Sequence, residues 1–349
     1  MGEMLGLGCS HAPHLQFRDE EMSNVLRRTL KGDKLPAELK DPANWPEGMR
    51  TEWGDDEGLT AAHKHRAALV EGYRAARAAI DEFKPDFILI FGDDQYENFK
   101  LDIIPPFCVY ALGEIEAEPF KASAGLGASS NVWNKPTDTV LTLRGHQEAA
   151  IALTDKMISR GFDVSCAYQF NHAESLNHAF MRTVLYLDYD MKGFDYPIVP
   201  FHVNCYGIHM RVPAKDRPAE DGHFVPPPAP PPWRCYDLGK EIARAIEESP
   251  WRVVVIGSSS WSHATLTRKH HFLYPDIETD GLRMRDLRSG DLTKWRDLTS
   301  EELIDAGQHE FLNWICLAGA MEGRHPEIVA HVQTYLFNSG KAVVLFPEA

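Results

Sequence analysis

Four histidines and one acidic strand end are the residues best suited to chemistry in this chain. His11 stands in GLGCSHAPHL after a short apolar run, His172 in QFNHAESLNH, and His263 in VIGSSSWSH, while His146 opens a helical stretch in RGHQEA. Asp93, Asp94 and Gln95 close the run FILIFGDDQYENF. Neutral imidazoles with one carboxylate suit a divalent first-row metal, and two histidines plus a carboxylate leave positions open for iron(II) and dioxygen. A further histidine can move protons near neutral pH. Other chemistries lack their signatures, for there is no GxSxG elbow, P-loop or dinucleotide fingerprint. The run Ser258-Ser259-Ser260 lacks the pair of elbow glycines.

Positioning these residues requires strands that end beside one another. Short apolar runs bounded by Gly, Pro or Asp predict strands at Met4–Gly8, Phe87–Phe91, Phe107–Ala111, Val164–Phe170, Tyr196–Val203, Val253–Gly257 and Val343–Phe346. Helical spacing predicts helices over Thr60–Phe83, Gly145–Arg160, Ser175–Tyr186, Tyr236–Glu248, Gln308–Met321 and Pro326–Tyr335. The alternation predicts an α/β fold, a single large domain over residues 1–349 with a mixed β-sheet core flanked by helices. Residues 17–59 read as a polar insertion or lid. Residues 212–233, ending in PPPAPPPW, read as a Pro-rich connector.

Composition narrows the partners. A net charge of −15 argues against nucleic acid, whose phosphates call for basic patches. No run approaches the roughly 20 apolar residues of a membrane span. The N-terminus has no basic region before an apolar core, so no signal peptide is expected. Six scattered cysteines with no CxxC spacing predict reduced thiols in a cytoplasmic protein.

The motifs also carry a resemblance. SHAPHL at 10–15, PDFILIFGDDQYENFKLDIIPPFCV at 85–109 and RGHQEAA at 144–150 are followed by FNHAESL at 170–176 and YPIVPFHVNCY at 196–206. VVVIGSSSWSH at 253–263 and DIETD at 276–280 complete the set. In this order they resemble the class III extradiol ring-cleavage dioxygenases, the family of the protocatechuate-cleaving β subunit. The resemblance implies one Fe(II), a catecholic aromatic substrate and O2, and ring opening beside the diol. It implies His11 and Glu278 as metal ligands and His172 as the acid/base. His146 and His263 fall close to the substrate, and Tyr96 is an aromatic candidate to pack on its ring. Family members are commonly homo-oligomers, sometimes with a small accessory subunit over the pocket.

One position departs from the pattern. The family carries Asp-His after its second strand, where this chain has Asp94-Gln95. An amide oxygen is a weaker and harder donor than imidazole. Gln95 therefore replaces the ligand, or another group such as His63, His65 or Asp94 completes the site, or the metal is lost. Two other functions stay open: a zinc-dependent hydrolase or lyase on the same fold, and a non-catalytic subunit.

Overall fold

The strand Phe87–Gly92 is apolar at every position and buried along its length, so it must be covered on both faces. The computed structural model, which describes residues 1–33, 35–121, 130–206 and 228–348, provides that cover. The first half of the chain runs β1 (Glu3–Cys9), α1 (Asn24–Lys31), α2 (Glu47–Trp53), α3 (Leu59–Phe83), β2 (Phe87–Gly92), β3 (Phe107–Tyr110), β4 (Glu114–Ala117), β5 (Leu141–Arg144) and α4 (Gln147–Ser159). It continues with β6 (Ser165–Ala167), α5 (His178–Leu187), β7 (Ile198–Val203), α6 (Pro232–Glu247), β8 (Arg252–Ser258), α7 (Ile277–Ser289), α8 (Ser300–Asp305), α9 (Leu312–Ala320), β9 (Glu327–Val332) and β10 (Lys341–Phe346).

Eight strands form one mixed sheet in the order β6-β3-β7-β2-β8-β1-β10-β9. Its centre, β7-β2-β8-β1, is parallel, while β10 joins β1 antiparallel. Alternation along β2 sends Phe87, Leu89 and Phe91 into a core with α4, α6 and α9. Ile88 and Ile90 point the other way, into a core with α3 and α5. The expected α/β architecture with a mixed sheet is therefore present. Because the four central strands run in parallel, Cys9, Gly92, Val203 and Ser258 end side by side. The loops that follow are thrown together, as expected for a ligand crevice in such sheets.

The close crossing of α6 and α9 depends on missing side chains. A Cβ at Gly239 would stand 1.9 Å from the Cys316 carbonyl oxygen, and one at Gly319 1.9 Å from that of Tyr236.

One element differs from expectation. Residues 326–335, read as a helix, contain β9, which pairs antiparallel with β10 through a bulge at Val343/Val344. Its sequence EIVAHV is β-branched at three of six positions, and pairing with β10 outweighs the local helical spacing. The segment 17–59 is not simply polar cover. Phe17, Met22, Leu26, Trp45 and Met49 form a third apolar cluster with Leu336 and Phe337. Residues 212–227 of the expected connector lie outside the described residues, and its end at Pro232 opens α6. Among the described residues no helix is long and apolar enough to cross a membrane.

Candidate metal centre

His11 leaves the end of β1 and is 3% exposed. Its Nδ1 hydrogen-bonds Ser258 Oγ at 3.0 Å, which fixes the ring and turns Nε2 across the strand ends. There Nε2 lies 3.4 Å from Glu310 Oε2 and 3.6 Å from Asp93 Oδ1. His263 Nε2 reaches the same Glu310 Oε2 at 3.4 Å. Its Nδ1 contacts the Trp261 carbonyl oxygen at 2.9 Å. A carbonyl only accepts, so Nδ1 carries the proton and Nε2 offers a lone pair to the cluster. The ring of His178, at the start of α5, stands edge-on to that of His11 with centroids 5.1 Å apart. Glu97 holds His178 from behind, accepting from its backbone N–H at 2.8 Å and closely contacting Nδ1. His11, Asp93 and His178 each present a donor atom within 4.8 Å of one another.

Glu310 is held in place from its other oxygen. Oε1 accepts from Gln95 Nε2 at 2.9 Å and from the Tyr206 hydroxyl, while Gln95 also donates to Tyr206 at 2.8 Å. Oε2 has no hydrogen-bond partner, and neither has Asp93 Oδ2, although both atoms are sealed from solvent. Burial and the nearby Glu310 charge push the Asp93 carboxyl well above the usual range. Burial also opposes ionisation of Glu310, but the charges of His263 and His11 and the Tyr206 hydrogen bond hold it low. Burial lowers the pKa of His263, against the pull of the Glu310 charge.

A divalent cation fits this set. Two sealed carboxylate oxygens lack partners, and two imidazoles face one of them at separations too long for good hydrogen bonds. Bonds of about 2.0–2.2 Å to a shared ion place neighbouring ligands roughly 3 Å or more apart. Nitrogen and carboxylate donors together suit first-row metals.

Residues 222–345 match the family described as the catalytic LigB subunit of aromatic ring-opening dioxygenase. A 2,3-dihydroxyphenylpropionate/2,3-dihydroxicinnamic acid 1,2-dioxygenase of Pseudomonas putida is 30% identical over 196 residues, covering 56% of this chain and 49% of its own. The enzyme of that name from Burkholderia vietnamiensis is 24% identical over 297 residues, covering 72% and 80%. In the P. putida and Comamonas testosteroni relatives the match spans about half of their length. An uncharacterized protein, JW3007 of Escherichia coli K12, is 11% identical with a TM-score of 0.45, over 80% of this chain and 92% of its own. The resemblance read from the motifs is borne out, and the family implies a metal cofactor.

The structure gathers only some of the expected residues. His11, Gln95 and His263 come together. Gln95 does so through its amide nitrogen, as a hydrogen bonder of Glu310. Glu278 does not join them: it is the second residue of α7 and exposed, while Asp276 and Asp280 take the inward positions. The carboxylate against His11 is Glu310. His146 is at the far end of the sheet, where its Nδ1 accepts from Ala149 N at 3.2 Å and caps α4. Its ring packs on Phe87 and Trp251, at the amino ends of β2 and β8. His172 lies outside the buried cluster. Asn98 Oδ1 accepts from its backbone N–H, and its exposed imidazole pairs with Asp102 at 2.9 Å.

Tyr96 sits in the loop after β2 with a left-handed φ of 61° and a sealed hydroxyl without a partner. Asp94 accepts from the backbone N–H groups of Glu97, Asn98 and Phe99, so it builds the loop. Burial raises its carboxyl to about 6. Of the other groups weighed for the site, His65 is buried against Phe337, and His63 faces Asp19 at 3.4 Å.

Sequence reasoning passed over His178 and Glu310, and noted Asp93 only as part of the acidic strand end. NHAESLNH contains two Asn-His pairs, and the second opens the helix. Glu310 follows a histidine in GQHEF, immediately before the wholly buried helix α9.

Proposed function

We propose that this protein opens a catecholic ring beside its diol, using dioxygen and one Fe(II) held by His11, His263 and Glu310. The observation that carries this reading is the convergence of both Nε2 atoms on the partnerless Glu310 Oε2, each at 3.4 Å. His263 supplies the second imidazole that Gln95 does not. Bound iron would supply Lewis acidity and a common point of attachment for both reactants. Gln95 and Tyr206 occupy Glu310 Oε1, leaving Oε2 for the metal. Ser258 aims the His11 ring, and the Trp261 carbonyl sets the tautomer of His263. Asp93 lies beside His11 Nε2 at 3.6 Å and offers the cation site a further carboxylate oxygen. Tyr96 forms part of the wall against which the aromatic ring packs.

Proton movement is assigned to His172. An acid/base must exchange protons with water, and this side chain is 36% exposed with Asp102 as partner. The ring of His178 is oriented by Glu97 and flanks His11, which suits it to hold the diol or the cation in register.

Metal analysis of anaerobically purified protein, with oxygen uptake on a panel of catechols after Fe(II) addition, tests the reading. About one iron per chain with catechol-dependent oxygen consumption, both lost in His11→Ala, is the expected result. Bound zinc with turnover in the absence of oxygen would replace it with a hydrolase or lyase. No metal under any condition would make the chain a non-catalytic subunit.

A further inference from the structure

The segment read as a lid also walls a cavity to which the metal centre contributes no side chain. A Cβ at Gly72 would stand 2.7 Å from the Ala330 methyl carbon, so α3 touches the edge strand β9 there. Toward the start of α3 a cavity of about 1070 Å³ opens, lined by α2, the first turns of α3 and the end of β9. Two contacts fix its wall. The Tyr335 N–H donates to Glu52 Oε2 at 2.6 Å, and the Thr334 hydroxyl donates to Oε1. Gly48 lies against the Tyr335 ring, where a Cβ would be 2.6 Å away.

The lining holds four carboxyl groups, Glu47, Glu52, Asp55 and Asp56, against one ammonium, Lys64. Glu47, Asp55 and Lys64 form no ion pair with any described residue. Exposed carboxylates alone are commonplace. His65 sets this cavity apart: it lines the cavity, is 2% exposed, and has no partner at either ring nitrogen. Its ring stands edge-on to Phe337 with centroids 4.9 Å apart. His331, on the facing strand, likewise has its Nε2 sealed without a partner. Burial holds His65 well below its ordinary pKa, so it offers a lone pair rather than a charge. Buried polar atoms without partners are rare and call for an explanation. The partner that suits a neutral imidazole among carboxylates is an N–H donor carrying positive charge.

We propose that this cavity binds a linear aliphatic polyamine. Glu47 opens α2 and Asp55 follows its end. At 1.5 Å per residue the two acids stand about 10–12 Å apart. A chain with an ammonium at each end and that length meets both acids at once, and two linked contacts bind more tightly than either alone. Its methylenes pack on Ala68 and Val332, and an amine at its middle supplies the donor that His65 lacks. A metal ion suits the cavity less well. Among the described residues, imidazole and carboxylate donors come within reach of a common ion only around His11. The polyamine site takes no part in ring cleavage and stands independently of that reading.

The test titrates the full-length protein calorimetrically with spermidine and with butylamine at one ionic strength. Spermidine should bind at least about tenfold more tightly, a difference of about 1.4 kcal/mol. Removing both end charges in Glu47→Gln/Asp55→Asn should cost spermidine at least about tenfold. Removing two charges from the exposed face of α4, in Glu148→Gln/Asp155→Asn, should change nothing and so controls for the net charge of −15. His65→Phe should weaken spermidine by about 3–10-fold, the worth of one hydrogen bond. Where His65→Phe does not fold, Ala68→Lys places an ammonium in the cavity from an exposed position and should weaken spermidine in its stead. No binding of spermidine, equal affinity for the two amines, or equal losses in the two double variants would each overturn the proposal. So would full displacement of spermidine by an equal concentration of Mg²⁺, or affinity unchanged in both His65→Phe and Ala68→Lys.

Discussion

The two ends of the same four parallel strands treat polar side chains in opposite ways. At the amino ends, His146 caps α4, Asp86 accepts from the Arg252 backbone, and the Arg252 guanidinium bonds the Phe83 carbonyl and Glu3. None of these groups has a buried side-chain atom without a partner. At the carboxyl ends, Asp93 Oδ2, Ser259 Oγ, Glu310 Oε2 and Arg182 Nε are all sealed and unpartnered. A protein holds such groups only where the surrounding packing supports the cost, and they gather at sites that bind something. The residue type alone therefore says little. His146 and His11 are both histidines at element boundaries, and only the one whose ring faces unpartnered carboxylates belongs to the site.

Substitutions can break this contrast, and the largest effect should come from the carboxyl ends. Glu310→Ala and His11→Ala should each reduce bound metal to a trace and remove catechol-dependent oxygen uptake. His146→Ala should leave metal and turnover intact and cost about 0.5–2 kcal/mol of stability through the lost cap. Metal analysis and thermal unfolding on the three proteins check this. Loss of metal in His146→Ala would mean that the two ends are coupled.

The next effect concerns how the missing imidazole is replaced. His263→Ala should weaken metal affinity by about 10–100-fold or more, read by competition with a chromogenic chelator. Gln95→His should move affinity the other way, since it restores imidazole beside Glu310. Unchanged affinity in both variants would remove His263 from the ligand set and point to Asp93 and His178 instead. Smaller again is the division of labour between the histidines. His172→Ala should lower turnover by about 10²–10⁴-fold with metal retained. An equal loss of metal would show that the rim loop supports the ligands.

How much of this was legible in the sequence differs between scaffold and site. The buried strands announced themselves, because β2 and β8 are continuous apolar runs that only a doubly covered sheet can accommodate. His11 and His263 were legible because each follows such a strand at once. Glu310 was not, since it sits in a short 3-10 turn ahead of α9 and no strand end marks it. The motif around Glu278 was misleading for a physical reason. Its stretch does pack inward, but at Asp280, which accepts from Ser262 N and Gln308 Nε2 behind the site. Likewise β9 exists because β10 has a free edge, a tertiary fact that local spacing does not contain.

The subtlest contrast lies within the carboxyl-end region, between its unpartnered groups and one buried cation with partners. Lys341 is 1% exposed, and its Nζ donates to the Phe337 and Ser339 carbonyls at 2.9 and 2.8 Å. Burial lowers its pKa to about 7. The unfolded chain keeps this proton up to about pH 10.4. Between pH 7 and that value the unfolded state therefore binds more protons than the folded one. The contribution of Lys341 to stability must then rise with pH across this window. Its hydrogen bonds hold the start of β10 in place, so Lys341→Met removes both the slope and two satisfied carbonyls. Denaturant unfolding at pH 7 and pH 9 should show wild type gaining stability more steeply than Lys341→Met. Parallel profiles for the two proteins would mean that Lys341 stays protonated in the fold and belongs with the partnered groups of the opposite end.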